Sequence, residues 1–341
     1  MAGNVSDEQE NVFKNLEDNI SLVSKQIRDG ESKREENAEF DKEAYWIRIG
    51  AIFKVLSVET TKMSLAFSKR PFPSHKNTQQ MAQELEKGML TLVSAYYSLP
   101  VAQGASLRRH LQAAVLQVLD SLAGFVSALS SCLQPDDKHS GRLQWTGGVW
   151  EAAGFILLKD NRECALKSLK DTSELVEDAF GEIEQATEND GQAEDFMGED
   201  DGVITNDAVW SEQDKEVVKA CTGLVKATKT ILKKSKESVR KHSTVDSPEG
   251  VRVLDELVDF VRDVSRSVDD FVCGIYAPIN YASLKQNGKV LSQLNGQILK
   301  FLRDSSLTVA EDEKWLDFLS QANTHNLNKL TQSTLPQSEE G

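Results

Sequence analysis

Apolar residues recur at spacings of three and four through most of the chain, and those runs define the elements. Phe13, Leu16, Ile20, Val23 and Ile27 form one such seam, which predicts a helix that ends at Gly30. The next run, roughly 39–69, carries Phe40, Trp46, Ile49, Phe53, Leu56, Met63 and Phe67, and Pro71 and Pro73 stop it. Ser74 is placed to cap a third helix with Met81, Leu85, Met89, Leu92 and Tyr96 on its inner face, ended by Pro100. A fourth, about Ala105 to Leu133, is rich in Leu, Val and Ala, and that apolarity predicts a central position. The glycines of Gly141 to Gly148 read as a loop or an irregular helix start. A further helix is expected from about Asp160, as cap, to Ala186, with Leu166, Leu169, Leu175 (with Val176), Ala179 and Ile183 in helical register.

Periodicity is lost over 187–209, where Asn189, Asp190, Gly191, Gly198, Gly202 and acid clusters predict a disordered linker. Four more helices are expected at roughly 211–241, 249–275, 279–303 and 312–333, separated by Ser247-Pro248, Pro278 and a polar loop near Asp304 to Asp312. No run alternates with period two between turn residues, so no sheet is expected. The predicted fold is all-α: two antiparallel helical bundles, 1–186 and 210–335, joined by an acidic linker at 187–209.

Charge sharpens this division. Residues 171–214 hold 16 Asp and Glu and no Lys or Arg, against a formal net charge of −15 for all 341 residues. The rest of the chain is therefore close to neutral, and the acidity is local. The segment from Met1 to Glu10 lacks the basic and apolar regions of a secretory signal. The longest charge-free apolar stretch, Gly88 to Leu107, contains Pro100, Gly104 and Gln103, which argues for a bundle helix running into a turn. Cys132, Cys164, Cys221 and Cys273 are widely spaced, with no CxxC pair; buried, reduced thiols are expected, and with them the cytosol or nucleus.

Candidate chemistry is sparse. His75, His110, His139, His242 and His325 are far apart, and no HExxH, GxSxG or phosphate-binding glycine loop occurs. The paired carboxylates cluster in the linker, where nothing would raise a pKa. Neither catalytic residues nor a metal or cofactor site is expected. The strongest positive signal is a basic stripe: Lys226, Lys229, Lys233, Lys236 and Arg240 share one helix face, widened by Lys234 and Lys241 and displaced from the apolar set Leu224, Ala227, Ile231 and Val239. A solvated outer face explains it; so does a surface for phosphate, nuclear import or an acidic partner. Direct nucleic-acid binding is disfavoured by the missing aromatic interleaving and the anionic flank. The linker folding back onto the stripe is a third expectation. Ser211-Glu212-Gln213-Asp214 reads as a helix cap and as an acidophilic kinase site; Thr187-Glu188-Asn189-Asp190 shares the kinase spacing. Trp210 is placed to anchor the linker's return to the second bundle.

Several stretches together resemble the cyclin-D-binding protein family. They are EFDKEAYWIRI (39–49), AFSKRPFPSHKNTQ (66–79), AYYSLPVAQGASLRR (95–109), WSEQDKEVV (210–218), SVDDFVCGIYAPI (267–279) and LTQS (330–333), in collinear order across roughly 35–335. The resemblance implies two all-α bundles like those of talin and vinculin rods. It also implies a cytoplasmic and nuclear adaptor that binds D-type cyclins, signalling adaptors and helix-loop-helix transcription factors and restrains the cell cycle. The helices are long enough to close their own bundles, so docking on a bundle face or groove, or through local opening of one helix, fits the periodicity better than helix-loop-helix pairing. A vinculin-like cytoskeletal adaptor is the alternative.

Overall fold

Side-chain caps mark the start of several of these helices. The computed structural model describes residues 2–30, 40–134, 141–190 and 209–334, and every regular element among them is helical. The first are α1 (Ala2–Arg28), α2 (Lys42–Ala66), α3 (His75–Tyr97), α4 (Ala105–Cys132) and α5 (Arg142–Ala153). Asp41 caps α2 by accepting from the Ala44 N–H, and Ser74 caps α3 by accepting from that of Asn77. Past the end of α1, Gly30 takes φ +102°, a conformation costly for any residue with a Cβ.

These helices form one unit, which ends at Asp160. α4 touches α1, α2, α3 and α5, and Leu111, Val115, Val118, Leu122, Phe125 and Leu129 along it are fully buried. Its length and apolarity would suffice to cross a bilayer, but its apolar side chains are covered by neighbouring helices. The α1 seam predicted from Phe13 to Ile27 is buried at every position. Each such side chain contributes on the order of 1.5–3 kcal/mol. One segment left between two forms is decided, as a helix start. Gly141–Gly148 is largely the first half of α5, because Gly124 on α4 leaves room for Trp145; a Cβ there would lie 2.5 Å from the indole. Tertiary packing overrides the weak helix propensity of paired glycines.

The second unit starts at Asn161 and contains α6 (Asn161–Glu188), α7 (Glu212–His242), α8 (Pro248–Val261), α9 (Val264–Val272), α10 (Tyr281–Asp304) and α11 (Glu313–Ser333). The expected boundary at 186/187 is displaced to 160/161. α6 packs on α7, α8 and α9, and its Leu169, Val176, Phe180 and Ile183 join the core of Leu224, Val225, Leu257 and Val268. A seam read from periodicity tells which face is buried, not against which neighbour. The helix expected over 249–275 is broken at Arg262–Asp263, although Val261, Val264 and Val268 carry one seam through the break. Of the cysteines, Cys164 and Cys221 are buried, whereas Cys132 is half-buried and Cys273 exposed, so the expectation of four buried thiols holds for two.

Within this core lies a polar cluster. Asn295 donates to Thr228 Oγ1 (2.9 Å) and Asn323 Oδ1 (3.1 Å), and Asn323 donates to the Ser292 carbonyl (2.9 Å) and hydroxyl (3.0 Å). It ties α7, α10 and α11 at one level.

Candidate partner interface

The start of α7 is built by a reciprocal cap. Ser211 Oγ accepts from the Asp214 N–H (3.1 Å), while Asp214 Oδ2 accepts from the Ser211 N–H (2.8 Å) and Tyr281 donates its hydroxyl to Asp214 Oδ1 (2.6 Å). Burial opposes the Asp214 charge, but the hydrogen bonds from Ser211 and Tyr281 outweigh it and hold the carboxyl below the usual range. The capping reading of Ser211 is thus realised, with its hydroxyl engaged.

Immediately before the cap, Trp210 is buried and its indole N–H donates to the Ile275 carbonyl (2.8 Å). Its backbone N–H donates to the Asp190 carbonyl (2.8 Å), and Lys215 pairs with Asp190 (3.2 Å). The two flanks of the expected linker therefore meet, and the anchor role expected of Trp210 is filled. The stretch connects α6 to α7 inside one unit rather than joining two bundles. Most of the expected linker, residues 191–208, lies outside the described residues.

Between α6 and the first half of α7 runs an open groove of about 790 Å³, with Ile183, Trp210 and Val218 among its apolar residues and Lys215, Lys219 and Lys226 among its basic ones. Thr187 also lines it, exposed in the last turn of α6, its hydroxyl donating to the Ile183 carbonyl (2.7 Å). Lys215 and Lys219 were not singled out from sequence. Their signal required knowing that α6 packs on α7.

The basic stripe divides in two. Lys226 and Lys229 lie over the Phe180 ring, 5.3 and 5.0 Å from its centroid, and Lys229 pairs with Glu177 (2.6 Å). Part of the acidic stretch thus does face the stripe, but as a helix of the same core. Lys233 and Arg240 are exposed and Lys236 half-exposed, and none has an ion pair among the described residues. The displaced set Leu224, Ala227, Ile231 and Val239 is buried as expected. Lys234 pairs with Glu237 (2.8 Å). The histidines stay apart: His110 lies against Phe155 and the Ile156 carbonyl, His242 approaches Asp312 (3.9 Å), and His139 is outside the described residues.

Two self-contained helical units, each with its own core, define an all-α bundle protein. Comparison with known proteins is consistent along the chain. The family model described as Grap2 and cyclin-D-interacting, N-terminal, matches residues 48–189, and its C-terminal counterpart matches 188–300. A Xenopus laevis protein named Cyclin-D1-binding protein 1 homolog is 35% identical over 95% of this chain and 99% of its own length. A Danio rerio homolog is 33% identical over 93% and 94%. The Homo sapiens Cyclin-D1-binding protein 1 is 29% identical over 95% and 94%. The chain belongs to the cyclin-D1-binding protein family. The junction of the two family segments, 188/189, falls 28 residues beyond the structural division after Asp160.

Proposed function

We propose that this protein is a non-enzymatic interaction regulator that binds D-type cyclins, working in cytoplasm and nucleus to restrain cell-cycle progression and transcription. The observation that carries this is the near-full-length match to relatives whose names state cyclin-D1 binding. The exposed half of the α7 stripe, Lys233, Lys236 and Arg240, supplies the contact for an acidic partner segment. Lys226 and Lys229 contribute indirectly, by fixing α7 against Phe180. Signalling adaptors and helix-loop-helix factors belong to the same reading, by docking on a closed bundle face. Thr187 is the better phosphate acceptor of the two candidates, because its hydroxyl makes one bond at a helix end, whereas that of Ser211 both accepts and donates within the cap that starts α7.

The test is hydrogen exchange on the full chain with and without a purified D-type cyclin, run beside co-sedimentation with filamentous actin. Protection along α7 that weakens in a Lys233→Glu/Lys236→Glu/Arg240→Glu variant is the expected result. Unchanged exchange everywhere, or binding to actin alone, would replace this reading with a cytoskeletal one.

A further inference from the structure

We propose that the outer face of α2 docks an amphipathic helix with an acidic polar face, contributed by a partner protein. α2 is apolar on two sides, and a helix of that kind is normally enclosed. Tyr45, Ile49, Phe53, Leu56 and Met63 occupy the core side. On the opposite side Ile47 is 67% exposed, Val55 49%, Val58 42% and Leu65 67%. At 3.6 residues per turn these four and exposed Ala51 fall within an arc of about 80°. The stripe is about 27 Å long, the length of a five-turn helix.

The stripe's surroundings are shaped for such a helix. On one side lies a groove of about 350 Å³ between α2 and α3, lined by Ala51, Ile52 and Val55, with Gly88 in its wall. Gly88 lets α2 and α3 approach closely, since a Cβ there would meet Leu56 at 2.8 Å. On the other side Trp150 of α5 is 52% exposed, held in place by its indole N–H donating to Thr61 Oγ1 (2.9 Å). A straight apolar seam between an aromatic edge and a groove accepts anchors at i, i+3, i+4 and i+7. An aliphatic strip this long, left uncovered, marks an interaction site.

Charge selects the partner. Arg48, Lys54, Lys62 and Lys87 border the stripe and groove, against Glu43, Glu59 and Glu84. Glu59 is already paired with Lys62 (2.6 Å), whereas Arg48, Lys54 and Lys87 have no ion pair among the described residues. The rim is thus net positive on a chain whose formal charge is −15. A basic helix would meet like charge, and an acidic one pairs with three unengaged cations. This face belongs to the first unit and is independent of the α7 reading.

The experiment is a display selection on the full-length chain. The probe is a library of amphipathic peptides about 18 residues long, with a fixed leucine seam and a randomised polar face. Enrichment of acidic polar faces is expected, with affinity falling at least about tenfold on Val58→Asp or Leu65→Asp. An Arg48→Glu/Lys54→Glu variant should shift the enriched charge toward basic. All four positions are at the surface, so circular dichroism and melting temperature should match the parent. The proposal is overturned by no enrichment, by enriched peptides of neutral or basic face, or by binding that Val58→Asp leaves unchanged. It is equally overturned if anionic phosphatidylserine vesicles bind this face while peptides do not, or if Val58→Asp abolishes a dimer of the chain itself.

Discussion

Asp214 concentrates more of the second unit's local order than any other side chain at the mouth of the acidic stretch. It closes the α7 cap and receives the Tyr281 hydroxyl. Because its folded pKa is depressed, its contribution is present above the ordinary carboxylate value, about 3.9, and is lost as pH falls through the lower folded value. Asp214→Asn should therefore destabilise at pH 7, and its deficit relative to the parent should shrink on acidification into that window. Urea melts at graded pH measure this. Tyr281→Phe should raise the Asp214 pKa, read by NMR titration of its carboxyl. Trp210→Phe removes one indole hydrogen bond to Ile275 and should cost about 1 kcal/mol, whereas Trp210→Ala should cost about 3–5 kcal/mol. Ser211, Asp214 and Trp210 were legible in the sequence because caps and anchors are local. Tyr281 was not: it lies 67 residues away, and only the packing of α10 brings it there.

Among the elements, seams were readable and adjacency was not. The faces of α1, α3, α4 and α7 follow from spacing alone. The break between α8 and α9 is hidden because its apolar register continues, and α5 is only half legible because its glycines fit a loop as well as a helix start. The α7 stripe was visible as spacing, but its division into engaged and exposed halves depends on Phe180 and Glu177 arriving on α6. The Asn295–Asn323 pair has no sequence signature either; both read as interruptions of a seam. Asn323→Leu would leave the buried Asn295 amide and the Ser292 groups short of partners, at about 1–3 kcal/mol. Asn295→Leu/Asn323→Leu together should recover much of that, because the pair already carries one buried acceptor, Asn295 Oδ1, without a hydrogen bond, and an apolar pair of similar size differs little from it in stability. A double-mutant cycle by guanidinium unfolding checks the sign of the coupling.

For the whole molecule, local acidity and neutral remainder are separable from sequence, and the expected division at 186/187 lies beside the junction of the family segments at 188/189, whereas the compact units part after Asp160. The charge gap, 171–214, brackets the end of the α6 seam near residue 187, and together they resemble a domain edge. The structural edge, after Asp160, has no such marker, and it follows from α6 burying Val176 and Ile183 against α7 rather than against α4. A fragment spanning 161–334 should unfold cooperatively, while one spanning 190–334 should show a broad transition and bind a hydrophobic dye. Differential scanning calorimetry with dye fluorescence distinguishes them. The practical consequence concerns partner mapping by truncation. A bait cut where the family segments meet would carry α7 without α6, the helix packed along it, leaving Val218 without Ile183 across the groove. Such a bait is adhesive by construction, and proteins it retains would report the wound, not the interface.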